Sequence, residues 1–259
     1  MTERNGWHML VIPAIAPEDQ TYAIGPGPRD VYHRRQGDVL LPDREPRAVL
    51  DEMRRAVGSR TFAAQYQQDP VPAEGNVIKR EWIKYYREEP EFDRLVLSWD
   101  LASTIEETSS FSVGQLWGAV GANYYLLEVI RGRYEAPELR HKIIWAMREW
   151  QPHTTVIETT ELARSLVQEI HRTTDLRPQL RPPRHDKLAR LLAQSARFEA
   201  GQVRLPHDAP WLDVYLSELL AFPIGRHDDQ VDATSLALYT LTEQSARERP
   251  LSRRNPTRR

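Results

Sequence analysis

Arg94 to Asp100 (RLVLSWD) is an apolar run that ends in a carboxylate, and two more apolar runs follow it closely. These are Phe111 to Ala119 (FSVGQLWGA) and Tyr124 to Ile130 (YYLLEVI), separated by the turn residues Gly121-Ala122-Asn123. Aromatic and β-branched residues bounded by turn signals predict strands, and connections this short predict an antiparallel meander. Pro137 to Trp150 then has helical spacing with proline in its first turn. Thr155 to Glu158 is a short strand, again ending in a carboxylate. Helices are expected at Leu162–Arg172, Asp186–Ala200 (stopped by Gly201), Trp211–Ala221 and Asp229–Thr242, with a short strand at Val203–Leu205. A meander followed by strands alternating with helices specifies an α/β domain with a mixed sheet.

The rest of the chain lacks this order. Residues 1–75 are interrupted by Pro13, Pro17, Pro26, Pro28, Pro42 and Pro46 and read as an irregular segment with one helix, Arg47–Val57, stopped by Gly58. The α/β domain is expected over 76–245. Residues 246–259 are arginine-rich, carry no apolar period and read as a disordered basic tail. No cysteine is present, which excludes disulfides, thiolate catalysis and cysteine-ligated zinc. No apolar run is long enough to span a membrane, and the N-terminus makes a poor signal peptide, so a cytoplasmic setting is expected. The net charge of −2 excludes a uniformly basic DNA-coating protein, but not an enzyme with a local basic track.

Acids mark the chemistry. Asp100 and Glu158 each end a hydrophobic strand, and Asp228, Asp229 and Asp232 open an apolar helix. In an open α/β sheet the carboxyl ends of neighbouring strands line one crevice, and a helix N-terminus can bring further acids there. One Asp at a strand end is usually a turn or cap residue. Carboxylates gathered from two strands and a helix repel one another unless a cation neutralises them. Mg²⁺ suits such an all-oxygen site, and two ions about 3.5–4 Å apart can activate water and stabilise the leaving oxygen of a phosphodiester.

An ordered set of motifs resembles the nuclease domain of phage terminase large subunits. Phe62-Ala-Ala-Gln-Tyr-Gln-Gln-Asp-Pro-Val-Pro-Ala-Glu-Gly75 is similar to the family's linker between motor and nuclease. Ser98-Trp-Asp-Leu-Ala102 is similar to its first catalytic strand, and Val156-Ile-Glu158 to its second acidic strand. Tyr124-Tyr-Leu-Leu-Glu128 and Arg131-Gly-Arg133 follow in the expected order. Asp186-Lys187 resembles the Asp-Lys pair before a long helix. His227-Asp-Asp-Gln-Val-Asp-Ala233 resembles the closing motif. The resemblance implies an RNase H-like fold and a divalent-metal-dependent endonuclease for concatemeric double-stranded DNA, using two Mg²⁺ or Mn²⁺ ions. It implies Asp100, Glu158 and Asp229 as catalytic ligands, Asp228 and Asp232 as further metal ligands, and His227 as an auxiliary group. Ser110 and Thr159 stand where family members often carry acids, which favours the tighter-binding Mn²⁺.

The family's motor needs a phosphate loop ending in Gly-Lys, and no glycine in this sequence is followed by lysine. A nuclease half without nucleotide binding is therefore expected: a split gene product, an excised domain or a prophage remnant. Residues 1–75 resemble only the end of the motor and its linker. The basic run Arg177, Arg181, Arg184, His185, Lys187 and Arg190 is the expected DNA track, set against the plainer reading of a solvated helix face. Expected partners are DNA and, for a packaging role, a terminase small subunit, a portal or a separate ATPase chain. A weakly catalytic remnant that only binds DNA and a junction resolvase are the alternatives.

Overall fold

The structure is a computed structural model that describes residues 3–4, 7–8, 10–17, 19–27, 29–68, 76–102, 111–183, 185–225 and 227–248. Ser110, Arg184, the turn around Pro70–Gly75 and the tail beyond residue 248 lie outside the described residues. The chain divides into two compact units, Met1–Glu74 and Gly75–Arg259.

The first unit holds β1 (Glu3–Arg4) paired with β2 (Trp7–His8), the antiparallel pair β3 (Gln20–Ala23) and β4 (Val31–Arg34), then α1 (Arg47–Val57) and α2 (Ser59–Gln65). The helix expected at Arg47–Val57 forms over those residues. The remainder is more ordered than its punctuation suggests. Ile15, Leu50 and Phe62 make a small core. The buried Arg34 guanidinium donates to the carbonyls of Pro13 at 2.7 Å and Asp38 at 2.8 Å. Side-chain-to-backbone bonds of this kind leave no periodic trace in a sequence.

The second unit is built on a seven-stranded sheet. Its strands are β5 (Lys84–Tyr86), β6 (Arg94–Asp100), β7 (Ser112–Val120), β8 (Asn123–Gly132), β9 (Thr154–Glu158), β10 (Gln179–Arg181) and β11 (Val203–Pro206). Their order is β10-β9-β6-β7-β8-β11-β5. The meander β6-β7-β8 is antiparallel, while β9 joins β6 and β10 joins β9 in parallel. This is the expected mixed α/β sheet. The helices are α3 (Ala136–Trp150), α4 (Glu161–Thr173), α5 (Lys187–Glu199), α6 (Leu212–Ala221) and α7 (Asp229–Glu248). Two expectations are corrected at its edges. The short strands β5 and β10 carry no alternating apolar signature, so the sequence predicts neither. Helix α7 runs to Glu248, past the expected Thr242 and into the segment read as tail.

Alternation along β6 and β9 decides which side of the sheet each residue serves. Leu97, Trp99 and Ile157 join the core that α3 and α4 cover. Val96 and Val156 join the other core, under α5, α6 and α7. Asp100 and Glu158 share the parity of Val96 and Val156, so both terminate on the α5–α7 side. Close packing on the opposite face fixes the register. A Cβ at Gly114 would lie 2.6 Å from the buried Trp99 ring, so glycine is needed for β7 to approach it.

Candidate active site

Strands β6 and β9 are parallel neighbours, with Trp99 opposite Ile157, so the next residues, Asp100 and Glu158, end at the same edge of the sheet. Helix α7 starts over that edge. Its first turn is anchored by a buried polar network: Gln115 Nε2 donates to the Gln230 carbonyl at 2.9 Å, and Thr234 Oγ1 donates to Gln115 Oε1 at 3.0 Å. Ser98 Oγ donates to the Ala233 carbonyl at 2.9 Å. Glu218 of α6 accepts from the Gln230 backbone N–H at 2.6 Å and its Nε2 at 2.7 Å. These bonds interlock two helices and two strands, and such buried networks hold a single geometry. Asp229 and Asp232, three residues apart on α7, therefore sit on one helix face toward the strand ends.

Four carboxylates, those of Asp100, Glu158, Asp229 and Asp232, lie near enough at this edge to act on one another's charge. Burial raises Asp100 well above the usual carboxylate range, and Asp232, Glu158 and Asp229 add repulsion in that order, against a smaller opposing effect of Lys187. Asp232, with a side chain only 4% exposed, is pushed up to about 6 by burial, although Lys187 and Arg190 pull it down. Asp229 is almost fully buried and accepts from the Phe111 backbone N–H at 3.1 Å. Asp228 stands at the margin, one third exposed.

The basic residues are placed differently from expectation. Asp186 caps α5 by accepting from the Ala189 N–H at 2.7 Å, and this sets the first turn of the helix beside the acids. Lys187 Nζ lies 2.6 Å from Asp228 Oδ1 and 2.8 Å from Asp232 Oδ2. Burial alone would lower Lys187, but the hydrogen bonds to Asp228 and Asp232 outweigh it and hold the ammonium charged. Arg190 bridges Glu158 and Asp232, with Nη2 2.8 Å from Asp232 Oδ1. Two of the six residues read as a DNA track, Lys187 and Arg190, thus close on the carboxylates themselves. Arg181 is drawn off to Glu243 at 3.1 Å, and Arg177 bonds the carbonyls of Thr174 and Leu176. His185 is exposed beside a cavity of about 240 Å³ that Glu158, Arg181 and Arg190 also line. His227 lies 4.0 Å from Asp229.

The donor set fits a hard divalent ion: it is all oxygen, anionic, and buried enough that the carboxylates oppose one another. Among the described residues, no three acidic or imidazole groups stand as a ready-made cage. Lys187 and Arg190 supply the positive charge instead.

The arrangement has a pH consequence. A carboxylate whose folded value is raised takes up protons on folding, so its cost is absent below the unfolded value and grows as pH rises through the folded one. Asp100→Asn removes that cost. In chelator, its thermal stability relative to the parent chain is expected to grow as pH rises from the unfolded carboxylate value, about 4, into the neutral range. Tm measured across that range checks it, and a difference that shrinks with rising pH contradicts it.

The comparisons with known proteins agree with this geometry. The terminase RNaseH-like domain family matches residues 97–241, more than half of the chain. Comparison with curated protein sequences gives no match. The large terminase of a thermophilic bacteriophage superposes with a TM-score of 0.57 at 11% identity, covering 75% of this chain and 52% of that chain. The complex of that terminase with ADP gives 0.57 at 12% identity, covering 76% and 52%. The chain thus spans about half the length of these large terminases. The large terminase nuclease of thermophilic phage G20c with bound magnesium gives 0.48 at 16% identity, covering 65% of this chain and 98% of that chain. With the mixed sheet, the carboxylates at its strand ends and the family match spanning both, the chain belongs to the terminase RNaseH-like family and has the RNase H-like fold of terminase nuclease domains.

Proposed function

We propose that the chain is a divalent-metal-dependent endonuclease that hydrolyses double-stranded DNA during phage genome packaging, in the cytoplasm of the host. The observation that carries this reading is the convergence of Asp100, Glu158, Asp229 and Asp232 on one edge of the sheet in a member of this family. Asp100, Glu158, Asp229 and Asp232 would hold two Mg²⁺ or Mn²⁺ ions, with Asp228 at the rim. Ions bound there supply Lewis acidity, lowering the pKa of attacking water and stabilising the leaving oxygen. The sheet holds Asp100 and Glu158 rigid, and the Gln115–Thr234–Glu218 network holds the first turn of α7 against them. Lys187 and Arg190 would hold Asp228, Asp232 and Glu158 in place through their ion pairs until ions replace them. Their cationic groups would then be released toward phosphate, which Arg181, Arg184 and His185 would also meet. We read 1–75 as a segment resembling the end of a motor domain and its linker, 76–245 as the nuclease domain, and the residues that follow as a basic tail. A terminase small subunit, portal or ATPase chain would supply the rest of the packaging machine.

One observation favours a second reading, a DNA-binding remnant that does not cut: Lys187 and Arg190 already satisfy three of the five acids. Supercoiled plasmid separates the two. The nuclease reading expects nicking and linearisation with Mn²⁺ or Mg²⁺, none in chelator, and binding without cutting in Ca²⁺, whose looser coordination does not align the phosphate. No cutting under any metal leaves the remnant, and faster cutting of four-way junctions than of linear duplex indicates a resolvase.

A further inference from the structure

We propose that the cavity beside Glu158 is a nucleobase subsite, which takes one base of the cut strand turned out of the duplex next to the scissile phosphate. The proposal rests on the nuclease reading and deepens it. The cavity has a volume of about 240 Å³, below the roughly 300–1,000 Å³ of pockets for drug-sized ligands, so it suits a single flat ring system. Glu158 and Arg190 line it, which sets it against the acid cluster. Pro182, Leu236 and Tyr239 supply apolar surface of the kind on which the face of a base packs. Ser235 lines it too, is only 2% exposed, and its hydroxyl has no hydrogen-bond partner. A buried hydroxyl left unpaired is costly, and an occupant that hydrogen-bonds it removes the cost. Gln194 is buried in the same wall and gives its Oε1 to Arg197, which leaves its amide N–H groups for a ring acceptor.

Charge selects the occupant. The two guanidinium groups of the wall are already engaged, Arg181 with Glu243 at 3.1 Å and Arg190 with Glu158 and, at 2.8 Å, with Asp232. With cations and carboxylates balanced in the wall, neither an anion nor a cation gains by entering, and either would lose its hydration. A neutral ring with donors and acceptors on its edge loses little. In DNA that group is the base, and a phosphate held at the acids brings the base of its own nucleotide to the cavity. Turning a base out costs its pairing and stacking, and the cost is least for a base that has no partner. The site should therefore favour DNA that carries an unpaired base and cut beside it.

The test uses the full chain and a linear duplex carrying one 2-aminopurine, a base analogue that brightens when it leaves the stack. In one duplex it faces thymine, and in a second it faces an abasic-site analogue. With saturating protein in Ca²⁺, the fluorescence of the second duplex is expected to rise at least about twofold, and anisotropy should show it bound about 10-fold more tightly than the paired duplex. Ala193 is exposed on α5 and lines the cavity, so Ala193→Trp fills the space at little cost to the fold. It should abolish both effects while leaving affinity for the paired duplex within about twofold of the parent's. Ser235→Ala should keep a Tm no lower than the parent's and reduce the preference for the unpaired base by about 2- to 10-fold. In Mn²⁺ the parent should cut beside the unpaired base, and Ala193→Trp should cut without that preference. If the parent binds and cuts while 2-aminopurine stays dark, or if it brightens equally with Ala193→Trp, the cavity takes no base and the nuclease stands. If the parent binds no duplex, both fall.

Discussion

Asp100→Ala is expected to lower plasmid cleavage by at least about three orders of magnitude while leaving duplex affinity within a factor of about two of the parent. The loss is large because Asp100 is the carboxylate that faces the other three: it feels Asp232, Glu158 and Asp229 together. Under the proposed mechanism its removal would take away the carboxylate that links the strand ends to the helix, and losing metal-assisted stabilisation of developing charge would cost several kcal/mol of barrier. Affinity survives because duplex binding comes from cations meeting phosphates. Matched cleavage and anisotropy measurements check both halves. A variant that cuts as fast as the parent removes Asp100 from the mechanism, and one that loses binding in proportion to cutting shows a structural role instead.

The second large effect concerns Arg190. Its side chain is 14% exposed and joins Glu158 and Asp232, whose side chains are 15% and 4% exposed. Arg190→Ala leaves two nearly buried carboxylates beside Asp100 with Lys187 as the main remaining counter-charge. Breaking such a pair costs about 3 kcal/mol, or roughly 6–12 °C in Tm for a domain of this size. Mn²⁺ at millimolar concentration should recover more stability in Arg190→Ala than in the parent, because the same carboxylates gain a cation. Thermal unfolding in chelator and in Mn²⁺ measures this. Equal Tm for parent and variant in chelator would mean that the bridge contributes nothing.

What the sequence made legible and what it hid have separate physical causes. The apolar runs ending at Asp100 and Glu158 revealed the strands, and strand parity then places both acids on one side. The relative standing of Asp229 and Asp232 was hidden. Both lie in the first turn of α7, and which of them bears hardest on Asp100 depends on the rotation of the helix. Ser98 and Gln115 set that rotation through bonds to Ala233 and Gln230, contacts between residues more than a hundred positions apart. In this rotation Asp229 and Asp232 both act on Asp100, with Glu158. Lys187 and Arg190 read as surface cations because a run of charge usually is solvated. Side chains in the first turn of a helix lean back toward its N-terminus, and here that direction leads to the acids. The Arg131 and Arg133 guanidinium carbons lie 3.4 and 4.1 Å from the Phe111 ring centroid, a stack hidden for a plainer reason: β7 and β8 bring Phe111 level with that end of the neighbouring strand, which local pattern does not reveal.

The central claim is that these carboxylates form one divalent-metal centre, and anomalous scattering from crystals of the full chain soaked in Mn²⁺ tests it most directly. Anomalous density is expected within about 2.0–2.3 Å of an Asp100 oxygen, shared with Glu158 or the Asp229–Asp232 turn, with Lys187 and Arg190 displaced from their present partners. Manganese bound elsewhere, or no manganese while Lys187 and Arg190 keep their ion pairs, would contradict it.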